Sequence, residues 1–270
     1  MRVLPTCLLA MLLTHVMSTT AQAEPLSPAQ QRTILSEGED AFRTGTALLD
    51  TDPAAARDAF HRAAERWSVL IDDGIVNGPL LYDLGNAQVQ AGELGHGIAT
   101  YRRAERFIPA DARLTENLTY ARTLVSPQFA DGTNRSITHR LIGWHSSWDL
   151  GIRLGLFAVG WILLWGVLSI RQQRTVPGQW WLAGAGLVMS ILFGGSVAID
   201  MFGEEQTVGV LISDDVTVRK GDAESYQPTF DEPINRGVEF DILESRPLWL
   251  HVEFPSGETG WVPRDAVIEV

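Results

Sequence analysis

Two stretches decide the architecture: 154-LGLFAVGWILLWGVLSI-170 and 180-WWLAGAGLVMSILFGGSVAI-199, neither of which contains a charged residue. As helices, seventeen and twenty residues rise about 26 and 30 Å, close to the ~30 Å hydrocarbon core of a bilayer. Extending the first to Leu150 adds only Arg153, whose long stem lets the guanidinium snorkel to the interface. The connector 171-RQQRTVPGQ-179 holds two arginines, no acid and a Pro-Gly turn, as a short cytoplasmic loop would. The expected membrane unit is therefore a helical hairpin: spans at 150–170 and 180–199, joined by a cytoplasmic turn at 171–179.

The second span carries small residues at strict four-residue spacing, Gly186, Ser190, Gly194 and Ala198, which lets another helix approach closely. That helix is either the first span or a span of another protein. Trp144 and Trp148 suit one membrane interface and Trp180 and Trp181 the other. Nothing polar in either span points to transport or a proton relay.

Residues 1–23 read as a secretory signal peptide. Arg2 is the basic start, Val3 to Val16 the apolar run, and Ala21-Gln22-Ala23 an A-x-A cleavage site. Fourteen residues rise only about 21 Å, too little for a spanning anchor. Arginines at 135, 140 and 153 precede the first span, so loop charge alone leaves the orientation open. The signal peptide sends residues 24–149 outward, and the hairpin then returns the C-terminus to the same side. The only cysteine is Cys7, inside the apolar run. Its removal excludes disulfides, thiolate zinc sites and a cysteine nucleophile from the mature protein.

The net charge is −12. Residues 24–135 hold eleven basic residues against sixteen acidic, and residues 203–270 hold five against fifteen. Both parts would be repelled by nucleic-acid phosphates and anionic lipid surfaces.

Residues 24–125 have helical periodicity. Leu84-Gly85-Asn86-Ala87 is followed by Gly92, Ile98, Tyr101, Ala104 and Pro109. This is the spacing of a tetratricopeptide repeat, in which glycine lets the second helix approach, an aromatic fills the space between helices and proline ends the unit. A looser copy precedes it: Gly38, Phe42 and Gly45 ahead of Ala56, Phe60 and Ala63, with Asp52-Pro53 as a helix start. Ala112–Val125 reads as a third first helix or a cap, its apolar face made by Leu114, Leu118, Ala121 and Val125. Such arrays usually need about three units for a continuous core, so this one is marginal alone and a partner could complete it. Tyr82, Asn86, Gln90 and Tyr120 would line the concave groove, although the two tyrosines fit packing roles equally well. Residues 126–149 form a polar juxtamembrane linker.

From Gln206 the period changes to two. Strands are expected at Thr207–Ile212, Val216–Arg219, Val238–Leu243, Leu248–Phe254 and Gly260–Val262, with a hairpin turn at Pro255-Ser-Gly-Glu258. Five short strands in 206–270 suggest a small all-β barrel. Val216-Thr-Val-Arg-Lys-Gly221, Trp249-Leu-His-Val252 and Gly260-Trp261-Val262 resemble a bacterial SH3-like domain. Tyr226, Trp249 and Trp261 are the candidate groove residues there, with core packing the alternative for the tryptophans. The acidity favours a cationic peptide over an anionic glycan.

Catalytic and metal motifs are not in evidence. His61, His96, His139, His145 and His251 form no pair with recognised metal spacing, and there is no H-E-x-x-H, G-x-S-x-G, phosphate loop or dinucleotide fingerprint. Asp72-Asp73 and Asp214-Asp215 are expected on solvated turns. No cofactor is implied, and the protein is not expected to be an enzyme.

The order of parts resembles the BatE family, the tetratricopeptide-repeat proteins of aerotolerance-type operons. The resemblance rests on Leu84-Gly85-Asn86-Ala87, Asn117-Leu118-x-x-Ala121-Arg122, the Trp-rich hairpin, Val216-x-Val218-Arg219, Trp249 and Gly260-Trp261. It implies a bacterial inner-membrane scaffold acting with von Willebrand-type domain proteins and a MoxR-like AAA ATPase. The alternative is an envelope sensor that binds peptidoglycan or its peptide stems through the SH3-like part.

Overall fold

A computed structural model describes residues 25–127, 129, 148–171, 178–202 and 207–270. The signal-peptide segment, most of the linker 126–149 and most of the turn 171–179 lie outside these residues.

Five helices come first: α1 (Pro28–Leu48), α2 (Pro53–Asp72), α3 (Gly78–Ala91), α4 (Leu94–Glu105) and α5 (Ala112–Thr123). Their starts are written in the sequence. Ser27 and Gln30 form a reciprocal capping box, and the side chains of Asp52, Asn77 and Asp111 accept from backbone N–H groups of the first turns of α2, α3 and α5. Proline occupies the first turn of α1, α2 and α3, where its missing N–H costs nothing. Successive helices pack as pairs through two close approaches. A Cβ on Gly85 would stand 2.6 Å from the Tyr101 ring, and one on Gly38 would stand 2.3 Å from Trp67 Nε1. The bare backbone there lets Tyr101, 2% exposed, fill the space between α3 and α4. Full burial of such a ring is worth roughly 1.5–3 kcal/mol.

The next two helices, α6 (Leu150–Arg171) and α7 (Gln179–Phe202), are each long and apolar enough to cross a membrane. They pack on each other. A Cβ on Gly186 would lie 2.8 Å from Gly160 O and Leu164 N, and one on Gly194 would lie 3.0 Å from the Phe157 ring. Gly186 and Ser190 are buried in this contact, whereas Ala198 is exposed. Arg153 does not snorkel: it is buried, and its Nη1 donates to Ser196 Oγ across the pair at 3.0 Å.

The C-terminal part is one antiparallel sheet in the order β4-β3-β2-β1-β5, formed by β1 (Val208–Leu211), β2 (Glu239–Ser245), β3 (Trp249–Glu253), β4 (Thr259–Pro263) and β5 (Val267–Glu269). Gly257, with φ +87°, makes the turn of the β3–β4 hairpin. Two strand expectations need correction. Val216–Arg219 is no strand but touches its neighbours through isolated bridges, Val216 to Ile234 and Arg219 to Pro228 and Trp261. The fifth strand is instead Val267–Glu269. A single 3₁₀ turn, Arg264–Ala266, swings the last residues back so that Val210 pairs with Ile268. Three residues are too few to display a period of two, so the sequence did not reveal this strand.

The sheet is built onto the helices. Val210 on β1 and Val270 are buried in the same apolar cluster as Leu81, Ile98, Tyr101, Leu114 and Leu118. β1 and β5 lie against α4. Gly95 is the contact point, since a Cβ there would stand 2.3 Å from Leu211 O, a backbone atom that cannot rotate away. In the other direction Val125 and Phe129 pack into the sheet's own core around Leu211, Val238 and Phe254. The chain's own C-terminal part thus covers one face of the short helical array.

Candidate functional site

The four groove residues expected from the sequence split into two groups. Tyr82 and Asn86 meet at the α3–α5 contact. Asn117 Nδ2 donates to Tyr82 Oη (3.0 Å) and to Asn86 Oδ1 (2.7 Å), and Tyr101 Oη donates to the same Asn86 oxygen (2.6 Å). Burial pushes the Tyr101 phenol above its ordinary range, so it stays a donor. Arg113 lies over the Tyr82 ring, 5.5 Å from its centroid. The network fills the α3–α5 contact and leaves Asn86 engaged within the chain. Gln90 and Tyr120 do not join it and are exposed, Tyr120 by 57%.

A groove opens between α1 and α3. There Glu39, Phe42, Arg43, Thr46, Trp67 and Asp83 line a groove of about 570 Å³. Gly38 and Gly45 create the floor. The first admits Trp67, the second Phe60, and Phe42 bridges the two rings at 5.8 and 5.1 Å. Trp67 Nε1 is buried without a hydrogen-bond partner among the described residues. Partial burial, and secondarily the nearby Glu39 carboxylate, raise the Asp83 carboxyl above the usual range against a smaller pull from Arg113. Arg43 is engaged by Asp40 at 3.0 Å. Sequence reading missed this opening. The apolar period marks Phe42 and Phe60 as core but does not say where the array leaves its core uncovered.

On the sheet, the expected groove residues are partly covered. Trp261 is 9% exposed. His251, its partner across the β3–β4 ladder, stacks on the indole at 4.9 Å and 17°, and Arg246 lies over it at 4.5 Å. Asp222 and Glu244 both pair with Arg246 and hold it in place. Trp249 lies opposite Pro263 and is half-buried, while Tyr226 is exposed and rests against Gly221. Trp261 therefore serves as a covered cross-strand packing element here.

A third cleft, about 330 Å³, runs along the junction between α5 and the sheet and is lined by Thr119, Arg122, Val125, Phe129, Val238 and Glu239. Glu239 is its hub, receiving Arg122 through two hydrogen bonds and Arg102 at 3.2 Å.

Of the acidic pairs, Asp72, Asp214 and Asp215 are exposed and Asp73 is half-buried. Asp73 accepts from the backbone of Leu26 at 2.9 Å and anchors the start of α1, and Asp214 is held by Arg236. Each has a structural partner that its turn position did not announce. Among the described residues no group of His, Cys, Asp and Glu could hold a metal ion. Neither family models nor curated proteins match the chain.

Proposed function

We propose that this protein is a two-pass membrane adaptor of BatE-like design, a tetratricopeptide-type helical array and an SH3-like barrel held together on the outer face of a bacterial inner membrane. The observation that carries this reading is the common core of Val210, Val270, Ile98 and Tyr101. The helices precede the membrane-capable hairpin and the sheet follows it. Parts that share a buried core must lie on one side of the membrane, and the signal-peptide reading of residues 1–23 makes that side the outer one.

The role follows from the surfaces. The docked body offers binding faces and no catalytic constellation is needed for it to act. Its partners, on the family resemblance, are von Willebrand-type domain proteins and a MoxR-like ATPase system. The reading is tested by reversible cross-linking in native membranes and affinity capture of the full chain. A stoichiometric von Willebrand-type partner is expected. Recovery of the chain alone would contradict the adaptor role.

A further inference from the structure

We propose that the groove between α1 and α3 binds a cationic, partly apolar polypeptide segment, one that places lysine or arginine beside an aliphatic or aromatic side chain. The inference deepens the adaptor reading and rests on it.

Three features of the groove set this chemistry. The floor is aromatic: the half-buried Phe42 ring lines it, backed by the buried Trp67 indole. The walls are acidic: Glu39 on α1 and Asp83 on α3 face the same space, and neither makes an ion pair among the described residues. The one basic residue in the lining, Arg43, is engaged by Asp40. A lysine or arginine head would meet two carboxylates while its neighbour covered the Phe42 ring. An acidic peptide or a carboxylated glycan would meet like charge at both walls, which opposes binding. The volume, about 570 Å³, lies within the roughly 300–1,000 Å³ span of ligand sites.

Asp83 is harder to ionise in the folded chain than in water, because partial burial and Glu39 outweigh the pull of Arg113. A cation in the groove would relieve both effects.

The test uses the full chain in phosphatidylcholine nanodiscs, whose lipid carries no net charge. The probe is a fluorescein-labelled peptide with lysine and leucine spaced by glycine and serine, compared with the same peptide bearing glutamate for lysine. Anisotropy titrations should show saturable binding of the lysine peptide alone. The double variant E39Q/D83N should weaken it at least ten-fold, whereas E253Q/E258Q, which removes two charges from the sheet, should change it less than two-fold. Melting of each variant is recorded to show that it is folded. Absence of saturable binding, equal binding of the glutamate peptide, or equal losses in the two double variants would each overturn the proposal. The adaptor role is judged separately by the capture experiment, so failure of the groove leaves that reading to its own test.

Discussion

Arg122 on α5 and Glu239 on β2 are joined by two hydrogen bonds, Nε to Oε2 at 2.6 Å and Nη2 to Oε1 at 2.8 Å. The pair spans 117 residues of sequence, including the whole membrane-capable hairpin. Glu239 is 18% exposed and Arg122 41%, so this bond is shielded from solvent on the acid's side only.

Because Glu239 also receives Arg102, the two ends of the bond differ in importance. Arg122→Ala leaves Glu239 one partner, whereas Glu239→Ala leaves two arginines without their shared acid. The first should cost about 1 kcal/mol and the second about 2 kcal/mol. Urea unfolding of both single variants and the double variant closes the cycle. Losses that simply add would mean that the pair contributes nothing to docking.

Gly95 is where backbone meets backbone. Gly95→Val must push Leu211 O away, an overpacking cost of roughly 1–3 kcal/mol. The loss should appear as faster amide exchange at Val210 and Val270, with the β3–β4 hairpin unchanged. Unchanged protection at Val210 would contradict docking through this contact.

Two carboxylates should shift acid stability in opposite directions. Hydrogen bonds from Arg236 hold Asp214 below the usual carboxylate range. Its contribution is present above its unfolded pKa, about 3.9, and is lost as pH falls through the lower folded value. Asp83 is raised, so its ionisation weakens the fold as pH climbs from about 4 through the higher folded value. The charges facing it are Glu39 and Arg43 on α1 and Arg113 on α5. Asp214→Asn should therefore lower the melting temperature at pH 7 and Asp83→Asn should raise it. Both differences should fade near pH 3. Shifts of the same sign at pH 7 would refute one of the two assignments.

Trp67 buries an indole N–H that has no acceptor among the described residues. Trp67→Phe removes that donor but leaves a smaller ring, so the change should be within about 1 kcal/mol of neutral. Gly38→Ala, by contrast, drives a Cβ to 2.3 Å from the same indole and should cost about 1–3 kcal/mol. A thermal melt of the two variants separates the effects. A Trp67→Phe loss as large as that of Gly38→Ala would contradict the near-neutral exchange expected here.

Much of the fold was legible because it is local. The helix start at Asp52-Pro53, the uncharged runs at 154–170 and 180–199, and the turn at Gly257 each act within a few residues. Gly85 against Tyr101 was legible too, since a repeat pattern carries its own tertiary contact. The docking was not. Val210 and Val270 look like ordinary strand residues, and nothing nearby says that they enter a core with Ile98. The same limit hid the groove. Glu39 and Asp83 are ordinary solvated acids in the sequence and acquire meaning only when α1 and α3 stand side by side. Trp261 was visible as a special residue, but whether it is open or covered depends on Arg246 and His251, fixed by strand register.

The most direct test of the account asks on which side of the membrane the two soluble parts lie. In a Cys7→Ala background, single cysteines at Glu116 on α5, Glu258 in the β3–β4 turn and Arg174 between the spans would be probed in intact cells with a membrane-impermeant maleimide. The account expects labelling at 116 and 258 without permeabilisation, and at 174 only after it. Labelling of 116 and 258 from opposite sides would contradict the shared core on which the account rests.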